Sequence, residues 1–438
     1  MRLVVVPNLR GTSRQGVWVV LAVLVAAALA ASLLLLMMVA SPARADTTFT
    51  VKSKADTDGM TCGPSDCTLR QAINAANAAP GNDTIVFALG PTATITLGST
   101  LPTITDASGL TIDGQSASIT ISGNEQVRVF EVVAGAELAL SKLTVANGSA
   151  GLGGGIKNEG GTLKVTDSTF SDNNAVGTGS DPVSCENACL GGGIQNDGGT
   201  LTVIRSTFSG NKSDAIGGGI SNVNGGTLKI INSTFSGNGA GFVGGAINNG
   251  GKLEVTYSTF SDNVGGGINN ANAAGVTLTL SNTILANSTG GNIREVCAGG
   301  TCQGKIIDGG YNISDDDSTS EFFTDQTSKS NTEPGLAGGL ANNGGPTQTI
   351  ALLEGSPALN AIPKAQNGCG TEITTDQRGV TRPQFAACDI GAYELAAQAS
   401  PAPPDKDKKD KKDKKQHNNN KGGGGGGGGG ISQGSSQG

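Results

Sequence analysis

The chain has 438 residues, of which 70 are glycine, 3% are aromatic and 15% are charged. These proportions fit neither a compact α/β enzyme nor a collagen. The net charge of −7 hides an uneven distribution: setting aside the four arginines before Asp46 and the tail Asp405–Lys421, with eight lysines against four aspartates, leaves 17 basic and 32 acidic residues. So acidic a body, net −15, argues against nucleic acid as a partner.

Arg2, Arg10 and Arg14 precede an apolar run from Val17 to Ala40, and Ala43-Arg44-Ala45 follows it. A positive start, an apolar middle and a small-x-small site are the three parts of a secretory signal. The run is also long enough to span a bilayer as a helix, so residues 1–45 read as a signal peptide or a membrane anchor. Cleavage after Ala45 is the expected outcome.

Residues 46–84 read as a cap. Leu69, Ile73 and Ala76 recur at helical spacing and Pro80-Gly81 stops them, which predicts a short amphipathic helix laid over the open end of a solenoid. The stretch Cys67-Thr68-Leu69-Arg70-Gln71-Ala72 is similar to the CSLREA domain that begins bacterial surface β-helix proteins, with Thr68 and Gln71 as departures. That resemblance implies no catalytic role for Arg70 or its neighbours.

From residue 85 to 320 the pattern is that of the solenoid itself. Irregular strand runs come first, with Asp113-Gly114 and Asn147-Gly148 at corners. Then one unit is written five times between Gly153 and Asn287, anchored on Leu163, Leu201, Leu228, Leu253 and Leu278. A fixed period in the twenties to forties marks units that bury their apolar faces only by stacking. Within each unit Leu and Val alternate with Thr and Lys, as in Leu163 and Val165, so the local period is that of a strand. Gly-Gly pairs and asparagines supply the bends, giving three strands per coil. About 25 residues per coil predicts roughly nine coils, a shaft on the order of 45 Å long.

Stacking predicts one internal column of Phe170, Phe208, Phe235 and Phe260, continued by Ile284. It also predicts one ladder of Asn173, Asn211, Asn238, Asn263 and Asn287. Gly-Gly-Gly-Ile paired with Phe-Ser-x-Asn resembles the repeat of the polymorphic outer-membrane proteins, bacterial surface adhesins, over about a third of the chain. Nothing after the repeats matches the long translocating barrel of that family.

Residues 321–395 form a different unit. Asn342-Asn343-Gly344-Gly345-Pro346, Gly355-Ser356-Pro357-Ala358, Asp376-Gln377-Arg378-Gly379 and Cys388-Asp389-Ile390-Gly391-Ala392-Tyr393-Glu394 resemble the region preceding the sorting signals of the choice-of-anchor Q family, with Asn360 where that family usually has Asp. Asp376, Arg378, Arg382, Asp389 and Glu394 are expected to form a buried ion-pair network closing the last coil, a polar site being the alternative. Residues 396–438, a Pro-rich linker, a Lys/Asp run and nine glycines, cannot bury a core and read as a disordered tail.

The eight cysteines fall into close pairs: Cys62 with Cys67, Cys185 with Cys189, Cys297 with Cys302, and Cys369 with Cys388. In an exported chain these read as four local disulfides. Zinc is the alternative, weakened by the variable intervals and the lack of nearby His. The lone His417 falls in the tail, which excludes His-based triads from the folded body.

The acids also fail to converge. The column after each repeat leucine is Lys164, Thr202, Lys229, Glu254 and Thr279; three residues on stand Asp167, Arg205, Asn232, Tyr257 and Asn282. Asp172 and Asp262 share a bend column three coils apart, about 14 Å, too far for a shared proton or ion. The irregular early coils, with Asp106, Asp113, Glu125 and Glu131, do not align well enough to be read this way. The expected fold class is therefore all-β: a right-handed parallel β-helix, a pectate-lyase-like solenoid, with a short N-terminal helical cap and a disordered C-terminal tail. The expected function is a structural or adhesin-like role at a cell surface or in secreted form, with an extracellular glycan or a neighbouring cell surface as partner and no cofactor, metal or catalytic residue assigned. A carbohydrate-active β-helix enzyme or glycan-binding module is the competing expectation.

Overall fold

A computed structural model of the chain describes residues 45–59, 61–177, 189–295 and 303–396. The apolar run 17–40, Cys185, Cys297, Cys302, His417 and the low-complexity tail lie outside these residues. Among the described residues, no helix is long and apolar enough to cross a membrane.

Alternating apolar and polar residues build a long sheet of ten parallel strands, from Thr48–Val51 through Asp83–Phe87 to Lys305–Asp308. Nine of its strands lie between Asp83 and Asp308, one for each coil. Leu163, Leu201, Leu228, Leu253 and Leu278 are in register and buried. Each such side chain removed from water contributes about 1.5–3 kcal/mol before chain entropy is counted. A second sheet of nine strands runs from Thr92–Thr96 to Ile313–Ser314 and carries the phenylalanines. A third, of seven strands, runs from Phe130–Val132 to Ile293–Glu295. The coils form a right-handed parallel β-helix, the hand that parallel crossovers almost always take.

The three-strand coil needs one amendment. Four coils add a two-residue strand, from Ser149–Ala150 to Gly239–Ala240, which makes a short fourth sheet. Beyond the ladder asparagine the chain still has to reach the glycine turn, and its backbone groups pair with the neighbouring coils rather than remain unsatisfied.

The turn from the long sheet to the phenylalanine sheet is a single left-handed residue. Lys142, Asp167, Arg205, Asn232, Tyr257 and Asn282 all have φ between 48° and 54°. For an L-residue this conformation costs roughly 1–2 kcal/mol. Sheet bonds on both sides of the bend hold it in place.

Phe170, Phe208, Phe235 and Phe260 are buried and stacked, with centroids 4.7, 4.7 and 4.9 Å apart. That spacing is the rise of one strand to the next. The column continues through Leu285, not Ile284, because Phe260 pairs with Leu285. Ile284 pairs with Thr259 and faces outward, where residues from the C-terminal region bury it.

The same one-residue slip removes Asn287 from the asparagine ladder. Asn173, Asn211, Asn238 and Asn263 are buried and joined Nδ2 to Oδ1 at 2.9, 2.9 and 3.0 Å. Asn287 is exposed, with φ of 57°, and occupies the bend position of Asp172, Gly210, Gly237 and Asp262. The residue following that bend, the ladder position, is Ser288 in this coil.

Each end of the shaft is closed differently. Helix α1 (Leu69–Ala78) starts in a capping box: Thr68 Oγ1 accepts from the Gln71 amide at 3.2 Å, and Gln71 Oε1 accepts from the Thr68 amide at 3.0 Å. Its face of Leu69, Ala72, Ile73 and Ala76 joins the core that begins with Val51 and Ile85. Buried Arg70 clasps Asp56 with two bonds of 2.8 and 2.9 Å and donates to the carbonyls of Ser99 and Thr100. At the other end Phe322 and Phe323 pack against the core, on a loop that returns to bridge Ile313 with Lys329. The last coil is therefore closed by this loop.

The ion-pair network lies elsewhere, on the flank. The C-terminal module, residues 333–395, packs against the outward face of the phenylalanine sheet through Leu352, Ala358, Ile362 and Ile390, over Tyr257, Ile284 and Ile313. The expectation that these charges seal the end of the shaft is thus corrected. The outward column of the later coils is apolar or hydroxylic enough to take a second layer. Disulfides join Cys62 to Cys67 and Cys369 to Cys388. Cys189 is also disulfide-bonded.

Candidate functional site

Two places gather polar chemistry. The first is the junction between the module and the shaft. Arg382 is fully buried, with its guanidinium 4.6 Å from the ring centre of Tyr257 and 3.3 Å from Glu394 Oε2. It also donates to the carbonyls of Asp389 and Gly391, each at 2.6 Å. Glu394 accepts from the amides of Gln384 and Asp389, and Asp389 accepts from those of Asn360 and Leu395. Beside them Asp376 pairs with Arg378 at 2.7 Å, and Arg378 lies 3.6 Å from the ring centre of Tyr393.

Burial dominates the electrostatics here. It pushes Glu394 up to about 7 against the pull of Arg382, and raises Asp389 as well. The Tyr257 hydroxyl is pushed far above its ordinary value, and Arg382 is held below its own, both chiefly by desolvation. All five residues named in the sequence thus do converge. They converge in a sealed interface, where Arg378, the least buried, is 6% exposed at its side chain.

The second place is open to solvent. The short fourth sheet presents an outward column of Ser149, Asn174 and Lys212, and the adjoining bend column presents Asp172 and Gly210. With Glu125 these line a groove of about 490 Å³. Glu125 is carried outward by two successive left-handed residues, Asn124 at 55° and itself at 57°, and its amide donates to the Asn147 carbonyl at 2.7 Å. Gly210 leaves room for the acid of the neighbouring coil: a Cβ there would sit 2.5 Å from Asp172 Oδ1. Lys212 is exposed and makes no ion pair among the described residues. Asn174 Oδ1, itself buried, has no hydrogen-bond partner among the described residues.

This arrangement offers one ammonium group, two carboxylates from different coils and an amide along one wall. Asp262 shares the bend column with Asp172 but stands beyond Gly210 and Gly237. Among the described residues, no group of three or more His, Cys, Asp or Glu side chains is placed to hold a metal ion.

Aligning the repeats does not bring Glu125 and Lys212 together, because Glu125 belongs to a coil without the repeat. A second buried ladder also goes beyond the expected one: Asn158, Asn196, Asn222, Asn249 and Asn270 are joined Nδ2 to Oδ1 at 2.7 to 2.9 Å. Its signal is present in the chain, since an asparagine follows each Gly-Gly-x-Ile at a fixed interval.

No protein-family model and no curated protein matches the chain. Among solved structures the chain is similar to a pectate lyase, Pel9A, at 16% identity and a TM-score of 0.45, over 80% of this chain and 96% of that one.

Proposed function

We propose that this chain is an exported β-helical shaft, displayed on a cell or released from it, that binds a polar surface ligand in the groove of Glu125, Asp172, Asn174 and Lys212. The apolar run before Asp46 and the disulfides support an oxidising compartment outside the cytoplasm. The CSLREA-like and choice-of-anchor Q-like stretches support display at a surface. The ligand class is a glycan of the surrounding matrix or of a neighbouring cell.

One observation carries this reading. Glu394 and Tyr257, both strongly perturbed, are sealed between module and shaft, whereas the open groove pairs a lysine that makes no ion pair among the described residues with hydrogen-bonding groups. Such a wall holds a hydroxyl-rich ligand by charge-assisted hydrogen bonds. The test is binding of the mature protein to a panel of neutral, amino and uronate polysaccharides. Lys212→Ala is expected to weaken the best ligand about tenfold, a loss of about 1.4 kcal/mol. Recovery of the native protein from the cytoplasm, or parent-level binding by Lys212→Ala, overturns the proposal.

The second reading is a carbohydrate-active enzyme. Lys212 and Asp172, on neighbouring coils of the groove, are the kind of base and acid pair that proton abstraction from a uronate requires. Release of unsaturated products in the same panel, abolished by Lys212→Ala, would establish it in place of the first.

A further inference from the structure

The phenylalanine sheet carries an outward rank of seven threonines in register: Thr94, Thr120, Thr144, Thr169, Thr207, Thr234 and Thr259. The C-terminal module sits on the last three. Gln377 Nε2 donates to Thr207 Oγ1 at 2.8 Å, and Thr234 Oγ1 donates to Gln377 Oε1 at 2.6 Å. Thr207 Oγ1 in turn donates to the Gln348 carbonyl at 2.6 Å. The amide of Ala392 donates to Thr259 Oγ1 at 3.0 Å, and that of Gly391 to the Asn282 carbonyl at 2.9 Å. A continuous hydroxyl face therefore has one half open and one half covered.

Behind these contacts lies a buried charged network, formed within the module and meeting the shaft at Tyr257, that is short of positive charge. Arg378 and Asp376 balance one another, but among the described residues Arg382 is the single cation beside Asp389 and Glu394. The other titratable groups at this junction are the Tyr257 hydroxyl, from the shaft, and Tyr393, against Arg378. Two buried carboxylates facing one buried guanidinium are neutral only if one of them holds a proton.

We propose that the C-terminal module is a proton-held cover: one proton shared by Asp389 and Glu394 keeps it on the shaft, and losing that proton frees the threonine face from Thr207 to Thr259. Burial, opposed by Arg382, sets Glu394 at about 7 when docked, against an ordinary value of 4.5. A folded-state value raised in this way gives docking that is complete below the ordinary value and is lost as pH rises through about 7. Over that interval the docking constant falls by up to about two orders of magnitude, the full fall applying where undocking returns Glu394 to water.

The amides of Gly391 and Ala392 report docking directly, because their bonds cross the interface. Hydrogen exchange of the full chain, normalised to intrinsic rates, is expected to show up to about a hundredfold loss of their protection between about pH 5 and about pH 9. The Asn211 amide, bonded to Asn238 Oδ1 inside the shaft, should keep its protection throughout. Glu394→Gln fixes the uncharged form and should make Gly391 and Ala392 insensitive to pH. Should that variant lose the Asn211 signal, Asp389→Asn replaces it with the same expectation. Constant protection of Gly391 in the parent across this range overturns the proposal, as does loss of Gly391 and Asn211 protection together.

Discussion

Asparagine plays two opposite parts in this chain, and its position decides which. Asn238 is buried, bonds Asn263 through its amide and accepts from Asn211. Removing that side chain leaves neighbouring polar atoms without partners, so Asn238→Ala is expected to cost about 1–3 kcal/mol, read as a lower urea midpoint at unchanged slope. Asn287 is exposed at a left-handed bend that glycine fills in two other coils. Asn287→Gly is expected to change stability by no more than about 0.5 kcal/mol. A large loss there would mean that Asn287 belongs to the ladder after all.

The slip between these two positions shows where the sequence is legible. Strict alternation around Leu163, Leu201, Leu228 and Leu253 announces strands, and the recurring phenylalanine announces a column. In the last repeat, Thr283-Ile284-Leu285-Ala286-Asn287 offers two apolar candidates side by side. Ile284 is apolar because the module covers it: a Cβ on Gly391 would lie 2.7 Å from its Cδ1. That cause is more than a hundred residues away in sequence, and no periodicity within the shaft encodes it. The groove residues are hidden for a related reason, since the turn carrying Glu125 lies outside the repeat.

Among the elements, the phenylalanine stack and the cap fail in different ways. Phe208 has a ring on both sides, so Phe208→Ala opens a cavity that the rigid coils cannot close and is expected to cost about 3–5 kcal/mol. The cap rests on Arg70, whose loss leaves Asp56 largely buried without its cation. Arg70→Met is therefore expected to expose the cap residues 46–84 to limited proteolysis before the shaft is cleaved. Burial alone would raise Asp56, but the Arg70 hydrogen bond, the Gly98 amide and the Arg70 charge together outweigh it and lower its value. A depressed carboxylate stabilises above its ordinary value and ceases to do so as pH falls through the lowered one. Cap cleavage in the parent should accordingly accelerate in acid. Equal cleavage rates at neutral and strongly acidic pH, corrected for the protease, would contradict this.

For the molecule as a whole, the separate closures at the two ends leave the middle free to vary. Helix α1 contacts the opening coil, the Phe322 loop the final one, and the module the later coils. Between Glu137 and Thr162 the chain advances 25 residues and returns to the same register. Copying residues 137–161 in tandem would add one rung, about 4.8 Å, while presenting each neighbour with the surface it already meets. Such an extended chain is expected to melt no lower than the parent and to show a correspondingly larger hydrodynamic radius. The architecture thus behaves as an adjustable ruler, whose reach can be reset by whole-unit duplication without redrawing either terminus.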